Sequence, residues 1–296
     1  MSNSSPFPPP RRSRGTLLIA SAVVVAVGVG GWLAWRPPVG GAAPAGSASG
    51  SPAPDGGPAG DAAHPASTGA PHAGLKGKTV LLDPGHNPRN RDHTREIARS
   101  VDIGNDHKEC DTTGTATDDG YAEAAFTLDV VRRARALLEA EGAKVVLTQD
   151  GDRPYGPCVD ARAAAGNKAH ADAAVSVHAD GSDPGNRGFH VILPARVAAG
   201  AADTSRIVAP SRDLGERLAD RFAATTGSSR SNYLGHGTGL DVRADLGGLN
   251  LSAVPKVFIE CGNMRDPKDA AQLTDAGWRE KAARGITEGI TDFLTH

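Results

Sequence analysis

The sequence predicts an α/β fold, with a sheet covered by helices on both faces in a single globular domain over residues 76–296. Three observations lead there. Short, apolar, β-branched runs recur between residues 79 and 260, each of strand length. Longer segments with apolar residues at helical spacing lie between them, the alternation that marks an α/β sheet. Three of the runs end in side chains suited to chemistry, at His86, His178 and Glu260, which is where such sheets place their sites.

Residues 79–83 predict a buried strand closed by Pro84 and Gly85. Residues 87–120 are rich in Asp, Asn, Thr and Arg and predict a long loop, a length that is usually functional or mobile. Over 122–141 the spacing predicts a helix: Leu128, Val131 and Leu138 form a stripe that Val130, Ala134 and Leu137 widen. Gly142 suits the position just beyond its end. Strands are expected over 144–148, 173–177, 188–193 and 256–260, and helices over 160–168, 212–224 and 277–294. Aromatic residues make up only 4% of the chain, so the core must rest on Val, Leu, Ile and Ala.

The first 75 residues read differently. Residues 1–16 include Arg11, Arg12 and Arg14 and are expected to be cytoplasmic. Residues 17–35 are uncharged, and about 19 residues at 1.5 Å rise nearly cross a hydrocarbon core of about 30 Å. Two readings compete for this segment, a permanent transmembrane anchor and a cleaved signal. Its length favours the anchor, while Ala42-Ala43-Pro44-Ala45 offers small residues for cleavage. Both export the rest of the chain to an extracytoplasmic location, membrane-anchored or secreted. Residues 36–75, almost all Gly, Ala, Pro and Ser, are expected to be a disordered linker. The net charge is −2, and the absence of a Lys/Arg stripe excludes nucleic acid as an expected partner. The expected partner of the N-terminal segment is the membrane; the chain is expected to act as a monomer.

The candidate site has four members. His86 and His178 each follow an apolar strand. Glu123 opens the 122–141 helix, where an acid favours the macrodipole, yet its spacing puts it beside Val130, Ala134 and Leu137, facing the protein. An inward carboxylate needs a cation. Glu260 ends the apolar run Val257-Phe258-Ile259, where burial would raise its pKa and suit it to general base work. Two histidines and a glutamate as ligands, with a further glutamate as base, form a zinc-hydrolase pattern. Alternation sends Cys261 to the opposite face, as core filler. Cys110 and Cys158 are expected to form a disulfide in an oxidising compartment, tying down the 87–120 loop. His93, His107 and His236 are candidates to reach the cleft, with structural or surface roles as the default.

These motifs resemble the zinc-dependent N-acetylmuramoyl-L-alanine amidases of the amidase-3 type, the peptidoglycan amidases. The resemblance runs in order through residues 80–86, Glu123, the strand ending at Thr148, Asp152, Arg162, Asn167, residues 171–179, residues 188–191 and residues 255–264, with Asp269 and Leu273 beyond. It implies zinc on His86, Glu123 and His178, Glu260 as catalytic acid/base, a mixed and roughly six-stranded sheet, and peptidoglycan or muropeptides as substrate. The bond it implies is the amide between the lactyl group of N-acetylmuramic acid and L-alanine. The chain departs from the family at Asn87-Pro88, Asp180 and Asn263-Met264; none of these is an expected ligand. The alternatives are a zinc peptidase or deacetylase acting elsewhere, an inactive wall-binding or regulatory homologue, and an intact site occluded by residues 87–120.

Overall fold

The structure is a computed structural model that describes residues 73–296. The expected cytoplasmic segment 1–16, the anchor or signal segment 17–35 and the linker up to residue 72 lie outside the described residues. Among the described residues no helix is long and apolar enough to cross a membrane.

Six strands form one mixed sheet: β1 (Thr79–Pro84), β2 (Lys144–Leu147), β3 (Ala173–Asp180), β4 (His190–Pro194), β5 (Leu240–Arg243) and β6 (Lys256–Asn263). Their order is β2-β1-β3-β6-β4-β5. Every neighbouring pair is parallel except β6 with β4. The sequence reading lacks β5. Leu240-Asp241-Val242-Arg243 alternates weakly, follows a glycine-rich run and lies at the sheet edge with Val242 half exposed, so it carries no buried-strand signal.

Helices α1 (Glu123–Ala140), α3 (Val208–Thr226) and α5 (Ala276–Thr295) cover one face, and α2 (Val159–Ala169) covers the other. The main core lies on the three-helix side, where Phe126, Val130, Val131 and Leu138 of α1 meet Val175 and Val177 of β3 and Ile286 and Ile290 of α5. Leu75, expected in the linker, is fully buried there. A separate helix, α4 (Pro267–Thr274), precedes α5; Asp266 and Asp275 cap the two by accepting backbone N–H bonds. Strand alternation then sorts the chemistry. Val257, Ile259 and Cys261 join the helix-side core, which leaves Phe258 and Glu260 on the other face beside Ser176 and His178 of β3.

Residues 87–120 are more ordered than a bare loop. They hold one turn of helix (Thr94–Ile97) and a two-stranded ribbon pairing Ser100–Asp102 with His107–Glu109. The segment is too polar to build its own core. Val101, Ile103, Cys110 and Cys158 make only a small cluster, and a Cys110–Cys158 disulfide staples it to the start of α2. Cys261 is the remaining cysteine and is buried. Thiol titration in denaturant is therefore expected to count one free thiol before reduction and three after; three before reduction would contradict the bridge.

Candidate metal centre

His86, Glu123 and His178 converge. Each offers one ligand atom, and these atoms lie within 4.8 Å of one another. His86 Nε2 is 3.2 Å from Glu123 Oε2, and His178 Nδ1 is 2.9 Å from Glu123 Oε1. Ligands of a tetrahedral zinc, at about 2.1 Å from the ion, would stand about 3.4 Å apart, so the spacing suits a shared ion. The imidazoles meet edge to face, with centroids 5.1 Å apart, and Phe258 stacks on His178 at 5.2 Å and 6°.

Local geometry explains why these residues hold still. His86 sits at φ 59°, a left-handed conformation that costs an ordinary side chain about 1–3 kcal/mol and clusters at functional sites. The preceding Gly85 is obligatory, because a Cβ there would lie 2.4 Å from the His178 ring. Gly114, at φ 72°, is equally constrained: its Cβ would come within 2.7 Å of both Glu123 Oε2 and the His86 ring. The Glu123 carboxylate accepts backbone N–H bonds from Thr115 at 2.9 Å and Ala179 at 3.2 Å.

Behind His86 runs a buried chain of charges. Asp111 Oδ1 lies 3.1 Å from His86 Nδ1, and Arg162 Nη2 donates to Asp111 Oδ2 at 2.8 Å. Arg162 Nη1 donates to Asp83 Oδ1 at 2.7 Å, and Lys256 Nζ to Asp83 Oδ2 at 3.2 Å. Ser176 and Thr148 hydroxyls complete the Asp83 carboxylate, each at 2.6 Å. Arg162 also donates to the carbonyls of Pro84, His86 and Pro157, so one guanidinium fixes the turn that presents His86. Two cations balance two anions. A carboxylate accepting the Nδ1 proton leaves His86 Nε2 as the ligand atom, the usual support of a metal-bound histidine.

The electrostatics follow. Burial alone would raise Asp83, but Lys256, Arg162 and the two hydroxyls hold it well below the usual carboxylate range. Burial lowers the His86 imidazole, yet Glu123 and Asp111 outweigh it and raise it to about 10. A depressed carboxylate adds stability above its unfolded pKa of about 3.9 and loses it as pH falls below that. Asp83→Asn is therefore expected to cost about 3–5 kcal/mol at neutral pH, by leaving the buried Lys256 charge without its anion and Arg162 with Asp111 alone, and to differ less from wild type in acid. Urea unfolding at pH 7 and pH 3 checks this; equal differences at both would contradict it.

Glu260 pairs with His178 on one side and His190 on the other, all on one sheet face. Its Oε2 is buried and has no hydrogen-bond partner among the described residues. Burial pushes its carboxyl well above the usual range, Glu123 and Asp180 push the same way, and His86 and Arg243 pull it back. Glu260 shares a cleft of about 310 Å³ with His86, Glu123 and His178. The four expected site residues thus stand together. His93, His107 and His236 line neither this cleft nor its extension past Asp245. Asp111 escaped the sequence reading, and nothing in a loop acid beside Cys110 announces it. Lys256 left a clue unused, since a lysine opening a buried strand needs an anion.

A mixed α/β sheet that gathers two imidazoles and two carboxylates at its strand ends defines a hydrolase fold with a candidate metal triad. The chain belongs to the amidase-3 family, described as N-acetylmuramoyl-L-alanine amidase, which it matches over residues 80–292. It is 38% identical over 234 residues to N-acetylmuramoyl-L-alanine amidase Rv3717 of Mycobacterium tuberculosis, covering 77% of this chain and 91% of that protein. Among solved structures it is similar to the amidase Ami1 from Mycobacterium smegmatis, with a TM-score of 0.68 at 41% identity, covering 74% of this chain and 98% of the other. The apo form of Ami1 from Mycobacterium abscessus gives a TM-score of 0.67 at 37% identity, covering 74% and 100%.

Proposed function

We propose that residues 76–296 form a zinc-dependent peptidoglycan hydrolase that cleaves the amide between the lactyl group of N-acetylmuramic acid and L-alanine of the stem peptide. The observation that carries this reading is the triad beside an unpaired, buried Glu260 carboxylate oxygen, in a chain of the amidase-3 family. His86, Glu123 and His178 would hold the ion, and the donor set of two imidazoles and a carboxylate fits zinc with one position open. Zinc so held supplies Lewis acidity, lowering the pKa of a bound water toward 7 and polarising a carbonyl.

The remaining steps belong to the protein. Asp111 keeps His86 in the tautomer that offers Nε2. Phe258 fixes the plane of His178. Glu260 takes a proton from the attacking water and later delivers it to the departing amine of L-alanine. Burial raises its carboxyl above the usual range, which favours holding that proton between the two steps. Residues 17–35 and the segment from residue 36 up to residue 72 would export and tether the domain in a layer outside the membrane, by anchor or by secretion. Mass spectrometry of a digested, defined muropeptide tests the reaction. The expected products are a sugar ending in free lactate and a peptide beginning at L-alanine; cuts within the peptide, or loss of acetyl groups, would contradict it.

A further inference from the structure

The cleft has two arms that meet at the triad. One arm, of about 310 Å³, contains Glu260, Asp180 and Gly181. The other, of about 420 Å³, runs past Lys108, Asp245 and Gly247. Arg243, at the end of β5, lines both.

Three Lys or Arg side chains line the two arms: Lys108, Arg162 and Arg243. Arg162 is buried and consumed by Asp83, Asp111 and three carbonyls. Lys108 lies on the ribbon, where its Nζ is 3.3 Å from Asp245, and it is absent from the Glu260 arm. Arg243 differs. Its Nε donates to Asp245 Oδ1 at 2.8 Å and its Nη2 to Asp245 Oδ2 at 2.6 Å. That pairing fixes the guanidinium plane, while Nη1 has no hydrogen-bond partner among the described residues. The side chain is 40% exposed, so an oriented donor remains available to a ligand. Two acids of that arm stand beside it: Glu260, and Asp180, which already accepts from the Tyr233 hydroxyl at 2.6 Å and from the Gly181 N–H.

We propose that Arg243 binds a free carboxylate of the stem peptide and sets the enzyme's preference at the residue after L-alanine. The inference rests on the function proposed above, in which Glu260 hands its proton to the departing amine. That amine belongs to the peptide half of the substrate, so the peptide lies on the Glu260 side of the ion. Arg243 is the Lys or Arg side chain lining that arm. A second residue linked through its side-chain carboxyl leaves its α-carboxylate free within about 7 Å of the scissile nitrogen, two residues of reach. A planar guanidinium held by Asp245 recognises such a group better than an ammonium would.

The test compares two synthetic muropeptides that differ only in carrying a carboxylate or a carboxamide at that position, using the zinc-loaded full chain. Wild type is expected to favour the carboxylate by about tenfold to a hundredfold in kcat/KM, the worth of a hydrogen bond to a charged group, with the difference residing in KM. In R243Q the ratio should fall to near one, and R243K should retain part of it. Calorimetric binding of the released peptides should show the same ordering without turnover. A wild-type ratio near one, a ratio unchanged in R243Q, or a loss of kcat equal for both substrates would overturn the assignment while leaving the amidase reading intact. Wild type that cleaves neither muropeptide would sink both.

Discussion

Replacing Glu260 with glutamine or alanine is expected to lower turnover on peptidoglycan by about 10²–10⁴-fold, the usual contribution of general acid–base catalysis, while about one zinc per chain stays bound. The reason is a division of labour visible in the geometry. The triad closes through Glu123, whose two carboxylate oxygens reach His86 and His178. Glu260 lies beside that triad, across the strand pair from His178, and contributes none of its ligand atoms. Its Oε2 is buried without a hydrogen-bond partner among the described residues, so a glutamine there is accommodated without breaking an existing bond. Metal analysis and release of lactyl-ended sugar, measured on the same preparation, separate the two effects. Wild-type turnover in either variant would remove Glu260 from the mechanism.

Removing Glu123 is expected to act on the ion itself. Glu123→Ala deletes the carboxylate that both imidazoles face and leaves two backbone N–H groups, of Thr115 and Ala179, without their acceptor. Zinc affinity should fall by more than the roughly 10–100-fold that loss of an outer-shell partner costs, and turnover should fall with it. Asp111→Ala supplies the internal comparison, because Asp111 touches His86 only through the nitrogen remote from the triad. It should weaken zinc by roughly 10–100-fold and leave activity recoverable at high zinc. Competition with a chromophoric chelator ranks the three proteins. Equal affinities in wild type and Glu123→Ala would contradict the ligand set.

How much of this was legible in the sequence depended on how local each signal was. The strand-end histidines and Glu260 announced themselves because apolar runs ended in chemistry, and alternation put Cys261 in the core, where it lies. Glu123 was readable because helical spacing turned it toward Val130 and Ala134, both fully buried. What escaped depends on distant pairing. Asp111 reaches His86 across a separation of 25 residues, and Lys256 reaches Asp83 across 173; no periodicity encodes either. The edge strand β5 escaped because a half-exposed strand lacks a strong alternation, and with it went Arg243. The 87–120 segment read as a loop because its order comes from a disulfide and a small ribbon rather than from an apolar pattern.

The most direct test of the central claim is anomalous scattering at the zinc edge from crystals of the zinc-loaded chain. A single strong peak within about 2.0–2.2 Å of His86 Nε2, His178 Nδ1 and a Glu123 carboxylate oxygen, with Glu260 nearby but unbound to it, is the predicted result. A peak held by other side chains, or none at the triad under saturating zinc, would contradict the account.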